Sequence, residues 1–395
     1  NGKNITGNGE TVCIPDTGID YTHPALGNCT TGQFLNGNCP KVISGYDFAN
    51  EDNDPFDDNG HGTHVAGIVT STDSKIRGIA PDANIVAIKI FDAFGGSDSG
   101  DLISAIDWCV NNASKFNISV ISMSLGSFES FSTKCDDDDP LLTGSIANAI
   151  GENIAVVAAA GNSGNINGIS SPACISSVIA VGSSTKSDGI SSFSDRWKLP
   201  MLFAPGDSIL STVPTGSCEI CDSSGYMLLS GTSMAAPHVA AAAALLQQFE
   251  KLKQNTVLTP SEIQQALNLT GVQIKDTSGS GLTFSRINIF AALQSLDSII
   301  SKLKQQKLSK LQISDIDIKI DKKKSSNVKN DTKISKEAKP GSKIEFKTEI
   351  KNNFPKSDDV KIENIKVKAT IEDIDGGDDL EEESDEFDLR EQSDK

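Results

Sequence analysis

The sequence predicts an α/β fold: a central, mainly parallel sheet sandwiched between helices in three layers, followed by a small C-terminal module resembling a β-sandwich. Three observations carry this. From residue 11 to about 296, short β-branched runs alternate with helical stretches, and the runs are apolar at successive positions, as strands buried on both faces must be. Beyond residue 310 the pattern turns to period-two alternation, with Ile365, Val367, Ala369 and Ile371 on one face, as in half-buried antiparallel strands. At 395 residues the chain also exceeds the ~250 at which single cores stop growing, so one large domain plus an appendage is expected.

In chain order, strands are predicted at 11–15, 85–91, 120–124, 154–159 and 178–181, and helices at 62–71, 101–111, 140–152, 233–252 and 260–268. Asp139 supplies a capping oxygen and Pro140 fills the first helical position, where its missing N–H costs nothing. The alanine-rich run after residue 233 dictates a helix there. Four parts result. Residues 1–297 form the main domain and 298–310 a Lys/Gln-rich linker. Residues 311–375 form an immunoglobulin-like β module with strands at 311–320, 342–352 and 362–371; three strands leave a sandwich of about seven incomplete. Residues 376–395 form an acidic tail that reads as solvated.

A net charge of -18 argues against a nucleic-acid partner, since nothing in it would neutralise phosphates. The eight cysteines are even in number and lack the Cys/His spacing of a zinc site, so disulfides and a secreted or cell-surface location are expected. Cys29 with Cys39 and Cys218 with Cys221 are the predicted pairs, while Cys13, inside an apolar run, also fits a buried free thiol. Sequons at Asn4, Asn28, Asn112, Asn117, Asn268 and Asn330 agree with export. No apolar run approaches the ~20 residues of a membrane span, and with no leader ahead of the first strand the sequence reads as a mature form.

Three segments hold residues suited to nucleophilic acyl transfer, which needs a hydroxyl, a base to take its proton and a group to orient that base. Among only four histidines, His61 and His64 lie in Asn59-Gly60-His61-Gly62-Thr63-His64-Val65-Ala66-Gly67, and one of the two is the candidate base. Ser233 lies in Gly231-Thr232-Ser233-Met234-Ala235-Ala236-Pro237-His238 at the start of the alanine-rich helix, where unpaired N–H groups favour a developing oxyanion. Asp16 ends the strand Thr11-Val12-Cys13-Ile14-Pro15, the end at which open α/β sheets bind ligands. His23 and His238 read as structural.

Asp16-Thr17-Gly18-Ile19-Asp20, His61-Gly62-Thr63-His64-Val65-Ala66-Gly67 and the Ser233 segment resemble the three signature motifs of the subtilisin-like serine proteases, the subtilases, in that family's chain order of Asp, His, Ser. The resemblance covers residues 5–296 and implies a serine endopeptidase that works through an acyl-enzyme, with broad specificity. It implies Asp16, His61 and Ser233 as the triad, His64 as structural, and Asn162 in Ala158-Ala159-Ala160-Gly161-Asn162-Ser163-Gly164 as the side-chain oxyanion donor. It implies Ser124, Leu125 and Gly126 as the segment on which a peptide substrate is laid, faced by Gly95, Gly96 and Ser97. It further implies protein or peptide substrates and a precursor with an N-terminal inhibitory propeptide.

No cofactor is required for that chemistry. The stretch from His64 to Gly78 is too short for the calcium loop many subtilisins carry there, although Asp52, Asp54, Asp57 and Asp58 could bind a structural calcium, the alternative being a solvated loop. Asp58, Asp98 and Asp101 near the substrate segments raise a preference for basic residues, against a plain surface-charge reading. Two other functions compete: a binding protein on a retired protease scaffold, against which the four filled positions argue, and an esterase using the same triad.

Overall fold

The computed structural model describes residues 4–97, 99–198 and 200–320, together with 323–325, 344–352, 362–365, 368–371, 380–383 and 387–389. They fall into two compact units, residues 1–297 and 298–395.

The first unit is built on a nine-stranded sheet. Its chain begins with β1 (Thr11–Asp16), α1 (Thr31–Leu35), β2 (Val42–Asp47), α2 (His61–Thr70), β3 (Asn84–Lys89), α3 (Ser99–Asn111), α4 (Ala113–Phe116) and β4 (Ile118–Met123). It continues with α5 (Pro140–Gly151), β5 (Ala155–Ala159), β6 (Ile179–Ser184), β7 (Leu202–Pro205), the hairpin of β8 (Ile209–Thr212) and β9 (Tyr226–Leu229), α6 (Thr232–Gln254), α7 (Pro260–Thr270), β10 (Val272–Lys275) and β11 (Thr283–Arg286). The strand order is β10-β11-β7-β6-β5-β4-β1-β3-β2, parallel except for the terminal β10–β11 pair. The parallel α/β class read from the sequence is therefore the observed one.

Alternation along β1 explains the three layers. Val12 and Ile14 face one way and Cys13 the other, and all three are fully buried. The Cys13 side joins Val86, Ile88, Ala105, Ile106, Ile121, Met123 and Ile146 in one core under α3 and α5. Helix α6 crosses β4, β5, β6 and β7 and packs on α2. Cys13 is not a free thiol: it is bonded to Cys109 of α3, tying the sheet to that helix. The predicted Cys29–Cys39 and Cys218–Cys221 bridges are present, and Cys135–Cys174 completes four. The Asp139 cap is present as well, its side chain accepting the Leu142 N–H ahead of Pro140.

The topology also marks where a ligand would bind. After β1 the chain places β2 and β3 on one side of it, then crosses to the other side for β4 and β5. The carboxyl ends of β1 and β4 therefore border a switch-point crevice.

The second unit begins within α8 (Ile289–Lys310), so the segment read as a linker is helical. It holds β12 (Leu311–Ile320), β13 (Lys323–Ser325), β14 (Ile344–Asn352), β15 (Ile362–Ile365), β16 (Lys368–Ile371), β17 (Leu380–Glu383) and β18 (Phe387–Leu389). These pair antiparallel as β13-β12-β14, β15-β18 and β16-β17, so strands also occur within the acidic tail.

Candidate active site

Asp16, the last residue of β1, is 1% exposed. In the parallel β1–β4 pair Cys13 lies opposite Ile121, so the neighbouring strand ends lead to Asp16 and Ser124. Asp16 Oδ1 accepts the Thr17 N–H at 2.8 Å and His61 Nδ1 at 2.7 Å. A nitrogen facing a carboxylate must carry the hydrogen, which leaves Nε2 as the basic atom. His61 opens α2, and its ring remains 24% exposed. Burial works to lower its pKa, but the charge and hydrogen bond of Asp16 outweigh that and hold it above the ordinary histidine value. The helix comes this close to β1 because residue 62 is glycine: a Cβ there would lie 2.1 Å from the Gly18 carbonyl.

A second buried acid fixes the frame. Asp57 accepts Thr17 Oγ1 at 2.9 Å, Thr63 Oγ1 at 2.5 Å and the N–H groups of Asn59, Gly60 and Thr63. Thr17 Oγ1 in turn accepts the Gly62 N–H at 2.9 Å. The first turn of α2 is thus satisfied by a carboxylate at its N-terminus, where the helix dipole favours negative charge. Spacing alone made Asp57 a candidate calcium ligand; in the structure it is a structural acceptor. The neighbouring acids have other partners: Asp58 pairs with Lys89 at 2.5 Å, Asp54 accepts Tyr21 Oη at 2.6 Å, and Asp52 accepts the Asp54 N–H at 2.8 Å. Among the described residues no group of three or more carboxylates, histidines or cysteines is placed to hold a metal ion.

Ser233 is the second residue of α6. Its Oγ donates to the Ser124 carbonyl at 3.0 Å, and Ser124 Oγ donates to the Ser233 carbonyl at 2.7 Å. This reciprocal pair holds the start of α6 against the end of β4, beside Asp16. The structure thus joins His61 to Asp16 and Ser233 to Ser124 on neighbouring strand ends. Asn162 lies in the turn after β5. Its Oδ1 accepts both Thr232 N at 2.8 Å and Thr232 Oγ1 at 2.9 Å, which assigns the amide orientation and turns Nδ2 outward. Nδ2 and the Ser233 backbone N lie near one another: a Cβ built on Gly231 would lie 3.5 and 3.6 Å from them. Two N–H donors this close together suit an oxyanion.

Leu125 and Gly126 follow β4 and make no backbone hydrogen bond among the described residues, so their peptide groups stay open to a ligand. They border a pocket of about 260 Å³ that is also lined by Ser170, Asp195, Asn162 and Ser233. Gly95, Gly96 and Ser97 form an irregular loop rather than the facing strand expected of them. Asp92 closes it, accepting the N–H groups of Phe94 and Gly96 at 2.9 and 2.8 Å. Asp98 lies outside the described residues. The supporting roles of Thr17, Thr232 and Asp195 were missed by sequence reasoning, and Asp57 was read there only as a candidate calcium ligand. Thr17 and Thr232 carried a signal, their places directly beside Asp16 and Ser233.

A model of the subtilase family matches residues 7–298. The thermophilic serine proteinase of Bacillus sp. (strain AK1) is 37% identical over 288 residues, 72% of this chain and 62% of that protein's length. Thermitase of Thermoactinomyces vulgaris is 35% identical over 73% of this chain and 90% of its own. A cold-adapted subtilisin-like serine proteinase of known crystal structure superposes with a TM-score of 0.57 at 34% identity, over 72% of this chain and 89% of that one. Matched over the whole stretch that holds Asp16, His61, Asn162 and Ser233, the chain belongs to the subtilase family.

Proposed function

We propose that the chain is a secreted serine endopeptidase that cleaves peptide bonds through an acyl-enzyme on Ser233, with Asp16 and His61 as its acid–base pair and Asn162 as an oxyanion donor. The observation that carries this reading is the 2.7 Å bond from His61 Nδ1 to a buried carboxylate, with a serine at a helix N-terminus on the adjoining strand end. In the resting state the Ser233 hydroxyl is bound to the Ser124 carbonyl, so reaction begins with its rotation between staggered χ1 wells toward His61. Oγ then attacks the substrate carbonyl carbon as its proton passes to Nε2. Asp16 stays ionised and stabilises the imidazolium. The oxyanion lies between Asn162 Nδ2 and the Ser233 N–H. Its collapse breaks the C–N bond, the leaving amine takes the proton from Nε2, and water repeats the sequence to free the acid.

The open peptide groups of Leu125 and Gly126 support main-chain pairing with an extended peptide, which recognises backbone more than sequence and favours broad specificity. Four disulfides support export to an oxidising compartment. Among the described residues no helix is long and apolar enough to cross a membrane. An N-terminal inhibitory propeptide, cleaved on maturation, belongs to the same proposal, and the route needs only this chain's own groups. The test is labelling by a fluorophosphonate probe: Ser233 should react in the wild type and lose reactivity in His61→Ala. An unreactive wild-type serine would leave the binding-protein reading, and turnover of esters without peptides would leave the esterase.

A further inference from the structure

The turn that carries Asn162 is shaped from outside. Gly161 takes a φ of +111°, and the turn that follows it meets the Asp195 carboxylate. Its Oδ1 accepts the Asn165 N–H at 2.7 Å. The main chain adds Asp195 N to Gly161 O at 2.9 Å, Gly164 N to Phe193 O at 2.7 Å and Arg196 N to Asn165 O at 2.9 Å. On the other side Gly161 N donates to Thr232 Oγ1 at 3.2 Å, the same hydroxyl that donates to Asn162 Oδ1. Residues 193–196 and Thr232 therefore clasp the turn between them.

Asp195 is 2% exposed and lines the pocket beside Ser233. A Cβ on Gly161 would fall 2.3 Å from its Oδ2, so the carboxylate packs against the turn's backbone without clearance. The guanidinium of neighbouring Arg196 is committed to Asp276 at 2.7 Å. Asp195 has no ion-pair partner among the described residues, and the hydrogen bond its carboxylate accepts comes from the Asn165 N–H. Bonded at Oδ1 to the Asn165 N–H and pressed through Oδ2 against Gly161, the acid sets the direction in which the turn points.

Resting on the proposed hydrolase reading, we infer that Asp195 is a positioning residue for the reaction: it holds the turn so that Asn162 Nδ2 faces the oxyanion, and it acts through Asn162. The experiment measures kcat and KM on one peptide substrate for the full chain, Asn162→Ala, Asp195→Asn, Asp195→Ala and the double variant Asp195→Asn/Asn162→Ala. Asp195→Asn keeps the shape and one acceptor, so it remains informative if Asp195→Ala fails to fold. It should lower kcat about tenfold with KM within about twofold, the signature of an interaction made in the transition state. Added to Asn162→Ala, it should cost nothing more, because the donor it positions is already gone. A further tenfold loss in the double variant, a wild-type kcat in Asp195→Asn, or an effect confined to KM would overturn the inference while leaving the proposed function intact. A wild-type kcat in Asn162→Ala would instead strike the oxyanion assignment itself.

Discussion

The two sides of the cleft are held in opposite ways. On the acid–base side the bonds that position His61 are complete at rest: Asp16 takes the ring, and Asp57 takes the first turn of α2. On the acyl side the bonds go to the far ends of the functional groups. Thr232 holds the carbonyl end of Asn162 and Ser124 holds the Ser233 hydroxyl, while the two donors, Asn162 Nδ2 and the Ser233 N–H, lie together near Gly231. The reason lies in timing. A base needs its tautomer fixed before substrate arrives, whereas an oxyanion donor must keep its hydrogen unspent until charge develops.

The sharpest way to break this contrast is to remove one group from each side. His61→Ala should lower kcat about 10⁶-fold, the loss known for subtilisin-type triads, because nothing else takes the Ser233 proton. Asp16→Asn should cost about 10⁴-fold, since an amide no longer fixes the tautomer. It should also move the acid limb of kcat/KM. As the proposed base His61 works only when neutral, so activity should rise as pH climbs through its pKa. That pKa stands above the ordinary value because Asp16, helped by the charge of Asp57, outweighs burial, and without Asp16 only Asp57 opposes burial, which shifts the limb to lower pH. A limb that stays in place would mean that Asp16 does not tune the ring. Asn162→Ala, on the acyl side, should lower kcat about 10²–10³-fold and change KM little, as read from steady-state kinetics on peptides.

The same contrast divides what the sequence disclosed. Strands β1, β4 and β5 were readable because both faces are buried and apolar residues dominate each, and α6 because alanine repeats where close packing demands it. Strand β2 was not: Ser44, Gly45 and Tyr46 break the pattern, and its inner residues are only half-buried. The β8–β9 hairpin leaves Leu210 and Leu228 exposed opposite one another, so no apolar period marks it. The residues that perform the proposed chemistry lie in local motifs, which is why Asp16, His61, Asn162 and Ser233 could be named. Their supports do not. Asp57 reaches back to Thr17 and forward to Thr63, and Asp195 reaches across to Asn165, pairings that only the folded chain creates. An acid read by spacing alone looks like a metal ligand or a surface charge, and only its partners reveal a frame.

His64 offers the smallest and most telling test of how firmly the acid–base side is held. It lies three residues beyond His61 on α2, is fully buried, and places Nε2 3.1 Å from both the Ile209 and Met227 carbonyls. That nitrogen must donate, which ties α2 to the β8–β9 hairpin, while burial with no partner at Nδ1 among the described residues favours the neutral ring. Burial, assisted by nearby His61, pushes its pKa down to about 4. In the unfolded chain it titrates near 6.5, so between about 6.5 and 4 the unfolded state binds more protons and stability falls with pH, by about 3 kcal/mol at the acid end. His64→Gln keeps a donor for the two carbonyls and cannot titrate, so its variant should lose this slope. Urea unfolding of the Ser233→Ala protein, which prevents self-digestion, would measure both. An unchanged slope would place the acid sensitivity elsewhere, whereas a flattened one would show that the helix carrying the base is anchored by a histidine that must never ionise.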